Sequence, residues 1–235
     1  YNSSDGIVET SWMRRANVGV NLSPSFFDNH LNLKVYAKYM YEKDRYADAG
    51  GAIGAALSMD PTLPVYFDEG DERAPFFGGY YQYSQAPKDF NPEWKYTNNP
   101  NAPQNPVALL NLKSTKAATN DFTGNFEIDY KIHGFEDLVL HASYGGQYTE
   151  SKQDDVTSKY AYSPNYYGWV GVTQTYKYSI TANAYAQYIK EIGDHNFDIM
   201  VGGEESHFHR NGYNYGQGTD PYTGEPHDAK LKEEQ

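Results

Sequence analysis

The chain has 235 residues, 39% of them hydrophobic, a mean hydropathy of −0.80 and a formal net charge of −12. That charge excludes nucleic acid and anionic headgroups as main partners, since both demand clustered Lys and Arg, and the absence of Cys excludes disulfides and thiol catalysis. No stretch approaches 18 apolar residues, so no transmembrane helix is predicted, whereas a membrane barrel, whose strands alternate, stays open.

Period-two patterning starts early. From Thr10 to Leu22 the even positions read Trp12, Arg14, Ala16, Val18, Val20, Leu22, and the odd ones read Ser11, Met13, Arg15, Asn17, Gly19, Asn21. This predicts a strand with one apolar face. A short turn over 24–30 follows, and then Leu31, Leu33, Val35, Ala37, Tyr39 and Tyr41 alternate with polar partners.

The stretch Gly50–Tyr66, GGAIGAALSMDPTLPVY, is rich in small residues and turns at Asp60-Pro61 and Pro64. Gly and Ala allow close backbone approach, and each proline biases its predecessor towards extended geometry. A packed, non-helical connection is expected here.

Alternation returns at Phe122, Gly124, Phe126, Ile128, Tyr130 and Ile132, and after a turn at 133–137 it continues at Leu138, Leu140, Ala142, Tyr144, Gly146 and Tyr148. A third pair runs through Tyr176, Tyr178, Ile180, Ala182, Ala184, Ala186 and Tyr188, turns at 192–195, and resumes at Phe197, Ile199, Val201 and Gly203. About six strands are therefore expected, as three hairpins. Their turns are short at one end, and the connections at 43–121, 151–174 and beyond 210 are long.

That asymmetry is the pattern of an outer-membrane barrel with short periplasmic turns and long extracellular loops. The predicted apolar faces carry almost no charge, Arg14 excepted, and Arg14 near the outer end of its strand can snorkel. The tyrosines at 39, 41, 144, 148, 176 and 178 are expected at outer strand ends, as an aromatic girdle. Six strands cannot close a barrel, so residues 1–235 are expected to be part of a larger one. The alternative is a soluble β-sandwich that binds glycans through loop aromatics.

Three stretches carry a family resemblance: Gly54 to Tyr66 with its core Asp60, Pro61, Thr62, Pro64, Val65 and Tyr66; Asn105 to Asn111; and Gly124 to Lys131. Over roughly residues 8–210 the chain resembles the SusC/RagA family of TonB-linked outer-membrane transporters of Bacteroidota. The resemblance implies a 22-stranded barrel importing oligosaccharides or peptides, with a SusD-like surface lipoprotein as lid and outer-membrane lipid around the wall. It also implies TonB acting through a plug. The signal peptide, carboxypeptidase-like extension, TonB box and plug of the family find no counterpart, so an internal barrel fragment is expected.

Candidate substrate or partner contacts are the loop aromatics Tyr80, Tyr81, Tyr83, Trp94, Tyr166, Tyr167 and Trp169, since flat rings bury area at low entropy cost. Self-packing of the loops is an equal reading. The run Asp68-Glu69-Gly70-Asp71-Glu72 offers oxygen ligands without EF-hand spacing, and Glu205, His207 and His209 share one strand face without a fourth ligand. No catalytic, metal or cofactor residue is assigned: no nucleophile elbow, P-loop or dinucleotide fingerprint is present.

Overall fold

A computed structural model describes residues 1–86, 95–161 and 167–219, and the backbone of 226–230. Its framework is one antiparallel sheet. Strands β1 (Asn2–Asp5), β2 (Trp12–Leu22), β3 (Ser25–Phe26), β4 (Leu31–Tyr46), β7 (Lys113–Lys131), β8 (Leu138–Thr157), β9 (Tyr167–Ile192), β10 (His195–Thr219) and β11 (Pro226–Lys230) are laid side by side in chain order, with β3 pairing β4 below β2. Between β4 and β7 lie helix α1 (Ala49–Ser58), a ribbon of β5 (Ser84–Gln85) and β6 (Thr97–Asn98), and helix α2 (Pro106–Asn111).

The three expected hairpins are present. The tight turns place Gly134 (φ 75°) and Gly193 (φ 64°) in the left-handed region, which costs glycine nothing sterically. Two adjacent turns are clipped together: His30 stacks on His133 with ring centroids 3.9 Å apart.

Register settles which residues share a face. Val20, Ala37, Gly124, Gly146 and Ile180 form one row across β2, β4, β7, β8 and β9. Leu22, Val35, Phe126, Tyr144 and Ala182 form the row two residues nearer the short turns. These side chains meet no second layer: Val18 is 64% and Val201 73% exposed. Among the described residues no other sheet covers either face, which a sandwich would require.

The apolar band also drifts along the register. Its apolar residues run from Ala16 to Leu22 on β2 and from Phe197 to Val201 on β10, whereas the residue in register with Val20 is His207. Relative to the register the band thus lies nearer the short turns on β10 than on β2, so the strands are tilted to it. Membrane barrels tilt their strands by about 35–45°.

The opposite face is a polar ladder. Lys34 Nζ lies 3.1 Å from Glu127 and 3.7 Å from Asp129, and Asp129 also meets His141 Nδ1 at 2.6 Å. His141 stacks on Tyr185 at 4.4 Å. Asp121 accepts hydrogen bonds from Thr123, Gln147 and Thr149. Cross-strand polar pairs of this kind satisfy one another on a wet surface.

Four expectations are corrected. The girdle tyrosines stand within strands rather than at their ends, because β4, β7, β8, β9 and β10 run on well past them. The connections expected over 151–174 and beyond 210 are largely strand. Their polar residues, such as Ser151 to Asp155, give no alternation because both faces meet water there. Strand β1 was not foreseen; its Ser4 carbonyl and Asp5 carboxylate take up Arg14 at 2.9 and 2.7 Å.

The fourth correction concerns Gly50–Tyr66, expected to be non-helical. Residues 49–58 are helical. Asp48 caps α1 by accepting from the Gly51 N–H at 3.0 Å. Four alanines and Leu57 favour the helix, and burial of Ala52 (5% exposed) offsets part of the glycine cost of about 1 kcal/mol each. The turn expected at Asp60-Pro61 is present.

Candidate functional site

Residues 47–112 leave and re-enter the wall at neighbouring positions, since Tyr46 pairs Thr115. Of these, residues 47–86 and 95–112 build a crown at the long-loop end. The buried apolar residues of the described chain, Ala52, Phe77, Leu109, Ala117 and Ala161, all belong to this crown or the strand ends beside it. The wall is one side chain thick on each face, so only the crown has an interior.

Asn105 organises that interior. It is 1% exposed, and its Oδ1 accepts from the N–H groups of Val107 and Ala108, capping α2. Its Nδ2 donates to the carbonyls of Val65 (2.8 Å) and Tyr81 (3.0 Å), and its own N–H donates to Gln82 Oε1. One amide thus ties the start of α2 to two otherwise separate segments. A buried polar group so fully satisfied fixes geometry rather than costing stability.

The family-signature residues of the sequence lead into this knot. Asp60 Oδ1 accepts from Thr62 N–H at 2.9 Å and its hydroxyl at 2.8 Å, an Asx turn that Pro61 rigidifies. These bonds, the backbone one first, hold the Asp60 carboxyl below its ordinary range. After Pro64, the Val65 carbonyl accepts from Tyr81 N–H at 3.0 Å as well as from Asn105. Tyr66 bridges Tyr80, with rings 5.0 Å apart.

The aromatic candidates divide. Tyr80 packs on Tyr66, Tyr81 on Phe67 at 5.2 Å, and Tyr83 edge-on to Tyr81 at 5.9 Å. These three rings are half-buried parts of the crown. Trp94 and Tyr166 lie outside the described residues. Tyr167 has its hydroxyl 3.4 Å from Thr97, and burial pushes that phenol up.

Trp169 starts the wall above the crown's flank. A Cβ on Gly171 would come within 2.6 Å of its indole, and one on Gly216 within 2.0 Å. Gly171 and Gly216 are paired across β9 and β10, so the indole lies against a two-glycine platform. Trp169, Gly171 and Gly216 share the face of the polar ladder. Sequence alone named the indole; the glycines that seat it were legible only through the register.

The acidic run is largely committed internally. Arg73 binds Asp71 through its side chain and backbone, pushing that carboxyl down to about 2. Glu72 meets Lys95 and Tyr96. Glu205, His207 and His209 lie on the apolar-band face of β10 but beyond its apolar part, with Tyr178 beside both histidines at 5.7 and 5.2 Å.

Two neighbouring tips brace the crown. Thr10 Oγ1 donates to the Leu110 carbonyl at 3.3 Å, and Ser158 N–H donates to the Leu112 carbonyl at 2.8 Å. The site is therefore a cap braced between two hairpin tips, at one rim of a tilted wall with an apolar and a polar face.

Comparison with known proteins decides what such a wall belongs to. The chain is 55% identical over its whole length to the TonB-dependent receptor SusC of Bacteroides thetaiotaomicron, of which it covers 23%. The chain belongs to the SusC family of TonB-dependent receptors. It is also 25% identical, over 70% of its length, to the TonB-dependent receptor P26 of Formosa agariphila, covering 14% of that protein. No protein-family model matches. The chain thus spans less than a quarter of the length of either relative, and its sheet is part of an outer-membrane β-barrel.

Proposed function

We propose that this segment forms part of the pore wall and outer mouth of a TonB-energised importer of oligosaccharides or peptides. Its apolar band faces lipid, its polar ladder faces the lumen, and its crown stands outside the cell beneath a SusD-like lipoprotein lid. TonB would act through a plug, and no residue here is assigned to that coupling. Nor is any residue assigned to bond-breaking chemistry, so the segment acts by binding and passage.

The observation that carries this reading is the 55% identity to SusC over the whole chain, joined to a wall whose crown lies at one rim only. Among the candidate contacts, Trp169 supports the substrate role best, because a ring seated on paired glycines on the lumen-side face is pre-oriented for stacking. Tyr80, Tyr81 and Tyr83 support the crown instead, and the crown's outer surface supports lid contact.

The test is uptake in cells expressing the full-length receptor. Replacing Trp169 by Ala is expected to cut uptake of the true substrate about tenfold at limiting concentration, as loss of one stacking contact would. Fluorescent oligosaccharides and oligopeptides tried side by side name the cargo. Unchanged uptake of every substrate imported by the parent would remove Trp169 from the path.

A further inference from the structure

The face that carries the apolar band changes character towards the crown. Beyond Ala16 and Tyr41, its next row reads Arg14, Lys43, Ala118 and Lys152 across β2, β4, β7 and β8, and the row after that reads Trp12, Arg45, Lys116 and Asp154. Ala118 is therefore ringed on its own face. Lys43 and Lys152 stand opposite it on the two neighbouring strands, and Lys116 and Asn120 lie two residues away along β7. Arg45 stands opposite Lys116, and Arg14 opposite Lys43. Sequence order scatters these cations, and pairing alone collects them, in a chain whose net charge is −12.

Like charges directly opposite one another destabilise a sheet, and here two such pairs adjoin. The carboxylates on this face are engaged elsewhere: Asp5 is held by Arg14 at 2.7 Å, Asp154 by Lys152 at 3.3 Å, and Glu150 accepts from Gln174 at 2.9 Å. Among the described residues Lys43, Arg45 and Lys116 meet no carboxylate, and Arg45 Nε is buried with no hydrogen-bond partner. Lys43 lies over the Tyr41 ring at 5.5 Å, which leaves its charge unneutralised.

From this arrangement we infer that the ring around Ala118 is an anion site that takes a phosphate group. Its floor is a methyl group, and its rim is three lysines and an asparagine whose Cα atoms lie about 5 Å away across the strands and about 7 Å away along β7. A phosphate group presents several acceptor oxygens at once, so one group can meet several of these donors in charge-assisted hydrogen bonds. Lysines bind it as point charges on flexible stems and need no fixed fork geometry. With the crown outside, as in the proposed function, the ring stands one row beyond Ala16 and Tyr41, at the level of lipid headgroups. A lipid phosphate and a free phosphate ion are then two sources of the same chemistry.

The test uses the full-length receptor assembled in a bacterial outer membrane. Phosphate-bearing lipid retained through mild detergent is counted per receptor by mass spectrometry, and inorganic phosphate is titrated into delipidated receptor by calorimetry at constant ionic strength. Lys116→Gln is expected to weaken retention or phosphate binding about fivefold, and Lys43→Gln combined with Lys116→Gln about 25-fold. Lys177→Gln makes the same charge change on the polar face, opposite Thr149, and is expected to match the parent. Ala118→Glu sets a carboxylate on the floor and should expel phosphate as fully as the double variant. Because it supplies the missing charge, it keeps the test readable if removing two lysines impairs assembly. A difference in lipid retention alone assigns the phosphate to lipid, and one in calorimetry alone assigns it to the free ion; either supports the site. Parent, Lys116→Gln and Ala118→Glu alike in both measurements overturn it, leaving the cations to a carboxylate from elsewhere in the receptor. An equal loss in Lys177→Gln overturns it too, as a general charge effect. Protease added to intact cells reports the orientation separately: a crown protected from outside sinks the proposed orientation and leaves the calorimetry standing.

Discussion

Asn105 Nδ2 donates to the Val65 carbonyl at 2.8 Å across forty residues of chain, and the same side chain caps α2. The end of the family-signature stretch and the start of the second helix are therefore held by one group.

Asn105→Ala removes the cap and both long-range side-chain bonds, taking the Asn105 donor from the Tyr81 carbonyl and leaving the Val65 carbonyl with the Tyr81 N–H alone. Local destabilisation of about 2–4 kcal/mol is expected. Hydrogen exchange over residues 60–86 and 95–112 should quicken while the wall strands stay protected. Asn105→Asp keeps the cap but turns an acceptor towards both carbonyls, so it should be no better than Ala. A variant as stable as the parent would mean that the amide is not the knot.

Acid should loosen the crown within a defined window. Asp71 titrates at about 2 when folded, below its ordinary value of about 3.9. A depressed carboxyl contributes stability that is present above the unfolded value and lost as pH falls through the folded one. Asp60, lowered by Thr62, acts in the same direction. Opening of the crown, read by hydrogen exchange corrected for the intrinsic pH dependence of exchange, should stay flat from about pH 6 to 4 and rise between about 4 and 2. In Asp71→Asn that rise should shrink, and a rise of the same size would exclude the Arg73 pair as its source.

Neighbouring residues on opposite faces should respond oppositely to charge. Ala142 shares the face of Ile128 and Ala184, whereas Ser143 shares that of Glu127 and Asn183. Ala142→Arg is expected to cost about 2–4 kcal/mol if it lies near the midplane, and Ser143→Arg little. Heat-modifiable migration of the full-length receptor on gels reads assembly, and equal yields would refute the face assignment.

Gly216→Ala places a methyl group where the Trp169 indole lies. The ring must move, so emission from the region should shift, and uptake should fall as in Trp169→Ala. Lost uptake in Trp169→Ala with none in Gly216→Ala would show that the indole acts without its glycine seat.

Much of the wall was readable from residue order because lipid on one face and water on the other impose period two, as at Leu31 to Tyr41. The reading failed where that contrast vanishes. Past Tyr148 both faces are wet, so Ser151-Lys152-Gln153-Asp154-Asp155 looked like loop although it is strand. Asp48 could have announced α1 as an N-cap, yet the glycines and the later prolines argued more loudly for an extended path. The site was less legible than the wall. Tyr80 and Trp169 look alike in sequence, and only pairing reveals that one ring is tied to Tyr66 and the other rests on Gly171 and Gly216.

The crown's two feet, Tyr46 and Thr115, are paired neighbours on adjacent strands. Everything between them could be exchanged for a tight hairpin loop without altering the spacing or register of the wall. Evolution can thus rewrite the crown while the membrane-crossing sheet is inherited unchanged, and a protein engineer could graft one receptor's crown onto another's wall at this single joint.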